Sequence, residues 1–300
     1  MSNDMLKKDL GNIQQVLNHS GISTSFISAE KMGGMTNRSY HLTIENGEDL
    51  VVRLPGEGTE VMISRTNEKI STELACELGI DSELLYFGED GSKITRYIKN
   101  AVTMTADYLR EKQHIMDVAD IFHKLHNCGI DTKVPFEIFE MAHNYENIIL
   151  KHKVKLYDDY NNCKETVMQI KNSVDSFGIS TKVPCHNDPL CENWVYGNNK
   201  MYLVDWEYAG MNDGMWDLAD VSIEAAYNDQ QDDFLLNCYL ARDPEKFERK
   251  RFIANKIYLD YLWTLWGLTR VPFDGQVMQE YADDRYVRLK QNINQYKIRD

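Results

Sequence analysis

The segment His186-Asn187-Asp188-Pro189-Leu190-Cys191-Glu192-Asn193 is followed by Leu203-Val204-Asp205-Trp206-Glu207. It sets an Asp, an Asn five residues on, and a second Asp beyond a hairpin pattern. Phosphoryl transfer needs these groups: one carboxylate to orient the acceptor hydroxyl and take its proton, and oxygen ligands to hold Mg²⁺ against the phosphates. Mg²⁺ prefers carboxylate and amide oxygens, and Asn193 with Asp205 supplies both. A His-x-Asp triplet alone recurs by chance. The whole pattern, with its hairpin and second Asp, is far more specific than an ordinary acidic turn.

These groups need elements to carry them. Ser39 to Ile44 and Leu50 to Leu54 read as strands joined at Asn46-Gly47, a strong hairpin signal. Asn67 to Leu78 reads as a helix closed by Gly79, and Ser82 to Phe87 pairs with Lys93 to Ile98. After Asn100 the period changes. Asp107 to His126 is helical, with Thr103 or Thr105 as its cap, and residues 141 to 177 are further helix. Short strands are expected at Lys182 to Cys185, Trp194 to Tyr196 and Met201 to Val204. Helices return at Asp217 to Tyr227, Asp232 to Tyr239, Pro244 to Leu268 and Gln276 to Tyr296. The order is a small sheet region and then a larger helical one, with the boundary near residues 98 to 102.

Charge narrows the function. The net charge is −14, which argues against nucleic acid or an anionic membrane as partner. From His186 to Asp233 there are eleven acidic residues and one basic one, Lys200, so this window supplies most of the excess. Solvated surface is the usual meaning of an acidic run. Here the acids alternate with Trp194, Trp206, Tyr208, Trp216 and Tyr227, which suits a site for metal ions and a cationic ligand. The six cysteines form no C-x-x-C pair, so free thiols in a reducing compartment are expected and a zinc site has no support. No apolar stretch approaches the roughly 20 residues of a membrane helix, and Met1 to Leu10 lacks a secretory hydrophobic segment. A soluble, cytoplasmic protein is the expectation.

With these motifs in view, the chain resembles the choline/ethanolamine kinase family, bacterial choline kinases above all. More broadly it resembles the aminoglycoside-phosphotransferase group with its protein-kinase-like fold, and the likeness runs over about residues 25 to 296. It implies an α+β, two-lobe architecture: a nucleotide-binding lobe of antiparallel sheet and one main helix over residues 1–98, and a mostly helical catalytic and substrate-binding lobe over residues 99–300. It implies Asp188 as catalytic base, Asn193 and Asp205 as metal ligands, and His186 as a structural member of the loop. Gly33, Gly34 and Asn37, in Met32-Gly33-Gly34-Met35-Thr36-Asn37, sit where bare backbone N–H groups approach phosphate. Arg53, in Val51-Val52-Arg53-Leu54, stands where typical kinases carry a strand lysine, and is expected to hold the phosphates bidentately. Glu68 is expected to fix Arg53 through a surface pair whose value is orientation. Thr95-Arg96-Tyr97-Ile98 resembles the connection whose backbone receives adenine.

Trp263 and Trp266, three apart, share a helix face. Such a pair is ordinarily core, but Tyr261 to Leu268 resembles the choline-kinase stretch that lends two indoles to the substrate. A quaternary ammonium has no N–H to donate, so ring faces and nearby negative charge must recognise it. Tyr208, Tyr227 and Tyr281 are further wall candidates, Glu224 the candidate charge, and Glu207 either lines the same site or supports Asp205. The expected reaction is ATP- and Mg²⁺-dependent phosphorylation of choline to phosphocholine, which places the protein in phospholipid metabolism. Ethanolamine is the nearest rival acceptor; an aminoglycoside is the next, although its site would be wider and richer in carboxylate. Homoserine, a methylated thio-sugar, or a catalytically dead binding module are weaker alternatives.

Overall fold

At Asn46-Gly47 the chain reverses with Gly47 at φ +83°, a conformation glycine adopts without a Cβ penalty. The turn closes with Gly47 N–H donating to the Ile44 carbonyl and Ile44 N–H to the Glu48 carbonyl. The computed structural model describes residues 3–22, 25–32, 37–56, 63–178 and 181–298. Gly33 and Gly34, expected at the phosphates, lie outside them.

The hairpin joins β2 (Arg38–Ile44) to β3 (Asp49–Leu54) in a five-stranded antiparallel sheet. It is completed by β1 (Phe26–Lys31), β4 (Leu84–Phe87) and β5 (Lys93–Arg96), in the order β1-β2-β3-β5-β4. Strand alternation sends Tyr40, Leu42, Ile44, Leu50 and Val52 to one core, where Ile13, Val16 and Leu17 of the first helix, α1 (Asn3–Ser20), join them. The sequence reading named no helix there, although Leu10, Ile13, Val16 and Leu17 recur at helical spacing. Asp9 anchors α1: at 1% exposure it accepts from Arg38 Nε (3.1 Å) and from the Tyr40 hydroxyl (2.6 Å). The second helix, α2 (Arg65–Glu77), is capped by Ser64 and followed by Gly79 at φ +65°.

Contacts divide the chain into two compact units: residues 1–104 with 192–209, and residues 105–191 with 210–300. The sequence reading had 192–209 within a lobe of residues 99–300. Backbone pairing explains the difference. Strands β8 (Trp194–Gly197) and β9 (Lys200–Leu203) form a hairpin that pairs with β6 (Val102–Thr103), and Leu203 N–H donates to the Ile80 carbonyl.

In the second unit the expected helix from Asp107 to His126 is two: α3 (Ala106–Leu109), capped by Thr105, and α4 (Lys112–His126). Residues 141 to 177 likewise divide into α5 (Ile138–Lys151) and α6 (Tyr160–Asp175), because Lys153 turns left-handed at φ +57°. A two-stranded ladder pairs β7 (Val183–Cys185) with β10 (Gly210–Asn212), a strand the sequence reading did not name. Then come α7 (Met215–Glu224), α8 (Asp229–Leu240), α9 (Lys246–Asp274) and α10 (Gln276–Ile298).

Helix α9 is the axis of this unit, apolar on nearly every side from Phe252 to Leu268, as a helix surrounded by others must be. Its buried Asp260 is compensated from α10 by Arg288 (2.7 Å) and Asn292 (3.1 Å). Among the described residues no helix is long and apolar enough to cross a membrane. All six cysteines are free.

Replacing Asp9 by Ala leaves the buried Tyr40 hydroxyl and Arg38 without their acceptor. The expected loss is roughly 3 kcal/mol, the usual cost of breaking a buried pair. Urea unfolding monitored by circular dichroism should show it as an earlier first transition.

Candidate active site

In the first unit a buried guanidinium gathers the charged groups. Arg53 on β3, 4% exposed, pairs with Glu68 of α2, donates from Nη1 to Asp205 Oδ1 (3.1 Å), and donates from Nη2 to the Gly91 carbonyl (2.9 Å). The pair with Glu68 differs from the surface pair read from the sequence. Both partners are buried, and Glu68 also accepts from Arg65 Nη1 (2.7 Å) and has Lys93 Nζ at 3.8 Å. Buried, hydrogen-bonded pairs are far less screened than exposed ones. Arg65 and Lys93 were missed by the sequence reading, where nothing separates them from other surface cations.

Hairpin register brings the two expected metal ligands together. Trp194 faces Leu203, and Val204 N–H donates to the Asn193 carbonyl (2.9 Å) one step further out. Asp205 follows at once, held left-handed at φ +69°, an uncommon conformation for any residue but glycine. Asn37 spans the next two acids: its Nδ2 donates to Glu207 Oε2 (3.1 Å) and lies 3.5 Å from Asp205 Oδ2, while its Oδ1 accepts from Gly56 N–H (3.3 Å).

Glu207 also stands 3.6 Å from Arg65. Burial, and then the charge of Asp205, push its carboxyl up to about 7. Glu207 therefore lies with Asp205, one of the two places the sequence allowed it. The Asp205 and Glu207 carboxylates at one hairpin mouth, with Asn193 joined to it through its backbone, are residue types whose oxygens fit Mg²⁺. Tyr208 belongs to this unit as well. Arg96 is a surface residue paired with Glu48 (2.9 Å) and Glu83 (3.2 Å), and its backbone N–H donates to the Glu83 carbonyl. Ile98 is buried just beyond it.

In the second unit the loop carrying Asp188 is built on a residue the sequence reading counted only as acidic surplus. Asp217 of α7, with no exposure, accepts the backbone N–H groups of His186 and Asn187 at 2.8 Å each. His126 of α4 meets the same carboxylate through Nε2 (3.0 Å) and the Tyr239 hydroxyl through Nδ1 (2.9 Å). Asn187, left-handed at φ +68°, is tied by Asn212 Nδ2 (2.9 Å) and by Trp216 Nε1 on its carbonyl (3.0 Å). Asp188 follows, half-buried, its own N–H donating to His186 Nδ1 (3.3 Å). His186 is thus a structural member of the loop. His126, Cys185 and Asp217 stand close enough to hold an ion. Their hydrogen bonds already serve the loop, and burial pushes the Cys185 thiol far up.

The rings form a chain of edge-to-face contacts: Trp263 to Trp266 at 6.1 Å between centroids, and Trp266 to Tyr281 of α10 at 5.7 Å. Gly267 makes the second approach possible, since a Cβ there would come within 2.8 Å of the Tyr281 ring. The Arg285 guanidinium lies over the Tyr281 ring, 4.6 Å from its centroid, and donates from Nη2 to Glu224 (2.7 Å). Glu224 and the indole pair are therefore linked through Tyr281 and Arg285. Arg285 is an addition to the sequence reading. Tyr227 is buried, and its hydroxyl donates to the Leu109 carbonyl (2.7 Å).

Comparison with known proteins identifies the family. The choline/ethanolamine kinase family model matches residues 29–296. A choline/ethanolamine kinase family protein from Mesorhizobium loti superimposes with a TM-score of 0.83 at 31% identity, covering 95% of this chain and 94% of that one. The choline kinase LicA from Streptococcus pneumoniae gives 0.79 at 28% identity, over 95% and 100%. Protein LicA of Haemophilus influenzae is 28% identical over 266 residues, 85% of this chain and 77% of the relative.

The chain belongs to the choline/ethanolamine kinase family, has the α+β kinase-like fold, and is a kinase.

Replacing Asp217 by Asn removes one of the two acceptors that hold the loop. Turnover should fall by at least about 100-fold, the usual consequence of a misplacement near 1 Å. The KM for nucleotide should stay within a small factor of wild type; steady-state kinetics with both substrates varied checks the split.

Proposed function

We propose that this kinase transfers the γ-phosphoryl group of ATP to the hydroxyl of choline, giving phosphocholine and ADP. The observation that carries the reading is the ring chain Trp263–Trp266–Tyr281 beside Glu224. A trimethylammonium group offers no N–H, so it needs ring faces and a nearby carboxylate. Each cation–π contact contributes roughly 0.5–2 kcal/mol, more where water is excluded. The choline kinase named among the similar structures points the same way.

In this reading Asp188 orients the acceptor hydroxyl and takes its proton, and Asp217 keeps that carboxylate aimed. Arg53, fixed by Glu68, holds nucleotide phosphate. Asn37, Gly33, Gly34, Arg96 and Ile98 belong to the nucleotide side, the last two through the backbone that receives adenine. Asn193 and Asp205 hold Mg²⁺, which supplies charge neutralisation at the phosphates when bound, and Glu207 supports Asp205. Tyr208 and Tyr227 complete the acceptor walls. Asp188 and Asn193 are five residues apart in the chain, so one short segment carries both the base and a metal ligand. Most of the rate enhancement then comes from positioning and electrostatics.

Ethanolamine is the second reading, and the carboxylates of α7 favour it, since a primary ammonium prefers acceptors to ring faces. An acceptor panel of choline, ethanolamine and kanamycin decides. Choline should give the highest kcat/KM, and a preference for kanamycin would end the ring argument while leaving the kinase.

Asp188→Ala should abolish turnover, with ATP binding by titration retained; residual turnover near wild type removes Asp188 from its role. Trp266→Ala should raise the KM for choline by about 10-fold or more, in line with the loss of one desolvated cation–π contact. The KM for ATP should change little. Equal effects on both would make the indole core.

A further inference from the structure

One carboxylate beside the rings stands without a hydrogen bond among the described residues. Asp220 stands on α7 one turn before Glu224, is 1% exposed, and has no hydrogen-bond partner for either carboxylate oxygen among the described residues. A buried polar group in this condition is rare and costly.

Its neighbours explain why it is a different kind of acid from the rest. Glu224 is paired with Arg285, and Asp260 of α9 with Arg288 and Arg285. Asp217 is satisfied by His126 of α4 and two backbone N–H groups. On α8, Asp232 is held by Lys256 and Ser222. The groups that act on Asp220 are Glu224, Asp188, Arg285 and Asp217, and Tyr281 of α10 feels it in turn. Three of those four are acids, and the guanidinium is already shared.

The cation that acts on Asp220 is already engaged: Arg285 donates from Nη2 to Glu224, and its Nη1, without a hydrogen bond among the described residues, stands 3.8 Å from Asp260. Asp220 is therefore a buried carboxyl among acids whose nearby guanidinium is shared by two other carboxylates. Burial is the largest reason Asp220 holds its proton well above the ordinary carboxylate range, with the charges of Glu224 and Asp188 next.

We propose that Asp220 is the proton-linked counter-charge of the cationic acceptor. It is neutral in the ligand-free protein and ionised when an ammonium head is seated against Glu224 and the rings, with one proton released to solvent. This rests on the cationic-acceptor reading above. Seating a cation beside Glu224 supplies the positive charge that the cluster lacks, so ionisation of Asp220 becomes favourable. Asp220 thereby discriminates between charged and neutral acceptors without touching the reacting atoms.

The test is calorimetric titration of choline, and separately of ethanolamine, into wild type and Asp220→Asn. It is run from pH 6 to 9 in pairs of buffers with different ionisation enthalpies. Wild type should release up to one proton on binding. Its affinity should rise by up to about tenfold per pH unit over the range in which the free protein still holds the proton. Asp220→Asn, whose fold is checked by its ATP affinity, should bind with a flat pH profile and without that release. Asp220→Ser replaces it if the carboxamide does not fold. Equal release in wild type and variant overturns the inference, as does binding to wild type with no proton exchange. Failure of both amino alcohols to bind wild type overturns the acceptor reading itself, and this inference with it.

Discussion

A carboxylate that never meets water, Asp217, accepts two consecutive backbone N–H groups from the loop that carries Asp188. That interaction holds Asn187 in a left-handed conformation, and Asn187 is in turn fixed by Asn212 and Trp216. A loop without regular hydrogen bonding is normally the softest part of a structure. Here every polar atom of the residue before the proposed base has a geometric assignment, so the base inherits the rigidity of α7 and α4. His126 completes the arrangement from α4, so the support comes from helix rather than from further loop.

Charge is handled by the same logic in both units. In the first, Glu68 sits among Arg53, Arg65 and Lys93, which lets an acid with 1% exposure remain compatible with folding. Asp205 and Glu207 face Arg53 and Arg65, and Asn37 bridges the two acids. In the second, Asp260 and Glu224 are matched by arginines of α10, and Asp220 is left over. The acidic excess of the sequence is thus not a uniform solvated face. A few of these acids, Asp217 and Asp220 among them, lie buried, and what distinguishes one buried acid from another is which of them has a cation assigned.

The α9–α10 pair is where packing and recognition meet. A helix buried on nearly every side must spend its indoles on core contacts, and Trp263 does so at 3% exposure. Trp266 is less buried and keeps an unpartnered Nε1, while Gly267 next to it lets Tyr281 approach. The pair read from sequence as equivalent rings is therefore unequal in burial, and Trp266 is the indole in contact with Tyr281.

Periodicity and turn chemistry make the sheet-then-helix order and the Asn46-Gly47 hairpin legible in the chain, and the resemblance carried by its motifs makes the family legible. Each of those signals is local: it depends on residue types within a few positions of one another. Leu10, Ile13, Val16 and Leu17 carry a local signal for α1 as well. Other features had no local signal at all. Attachment of the 192–209 hairpin to the first unit depends on pairing with β6, ninety residues upstream. The role of Asp217 depends on backbone N–H groups thirty residues away, and the difference between Asp220 and Glu224, four apart on one helix, depends on Arg285 in another. A carboxylate's partner, burial and protonation are set by what folding brings beside it, so tertiary structure alone decided which acids are scaffold, which are paired, and which one is free to respond.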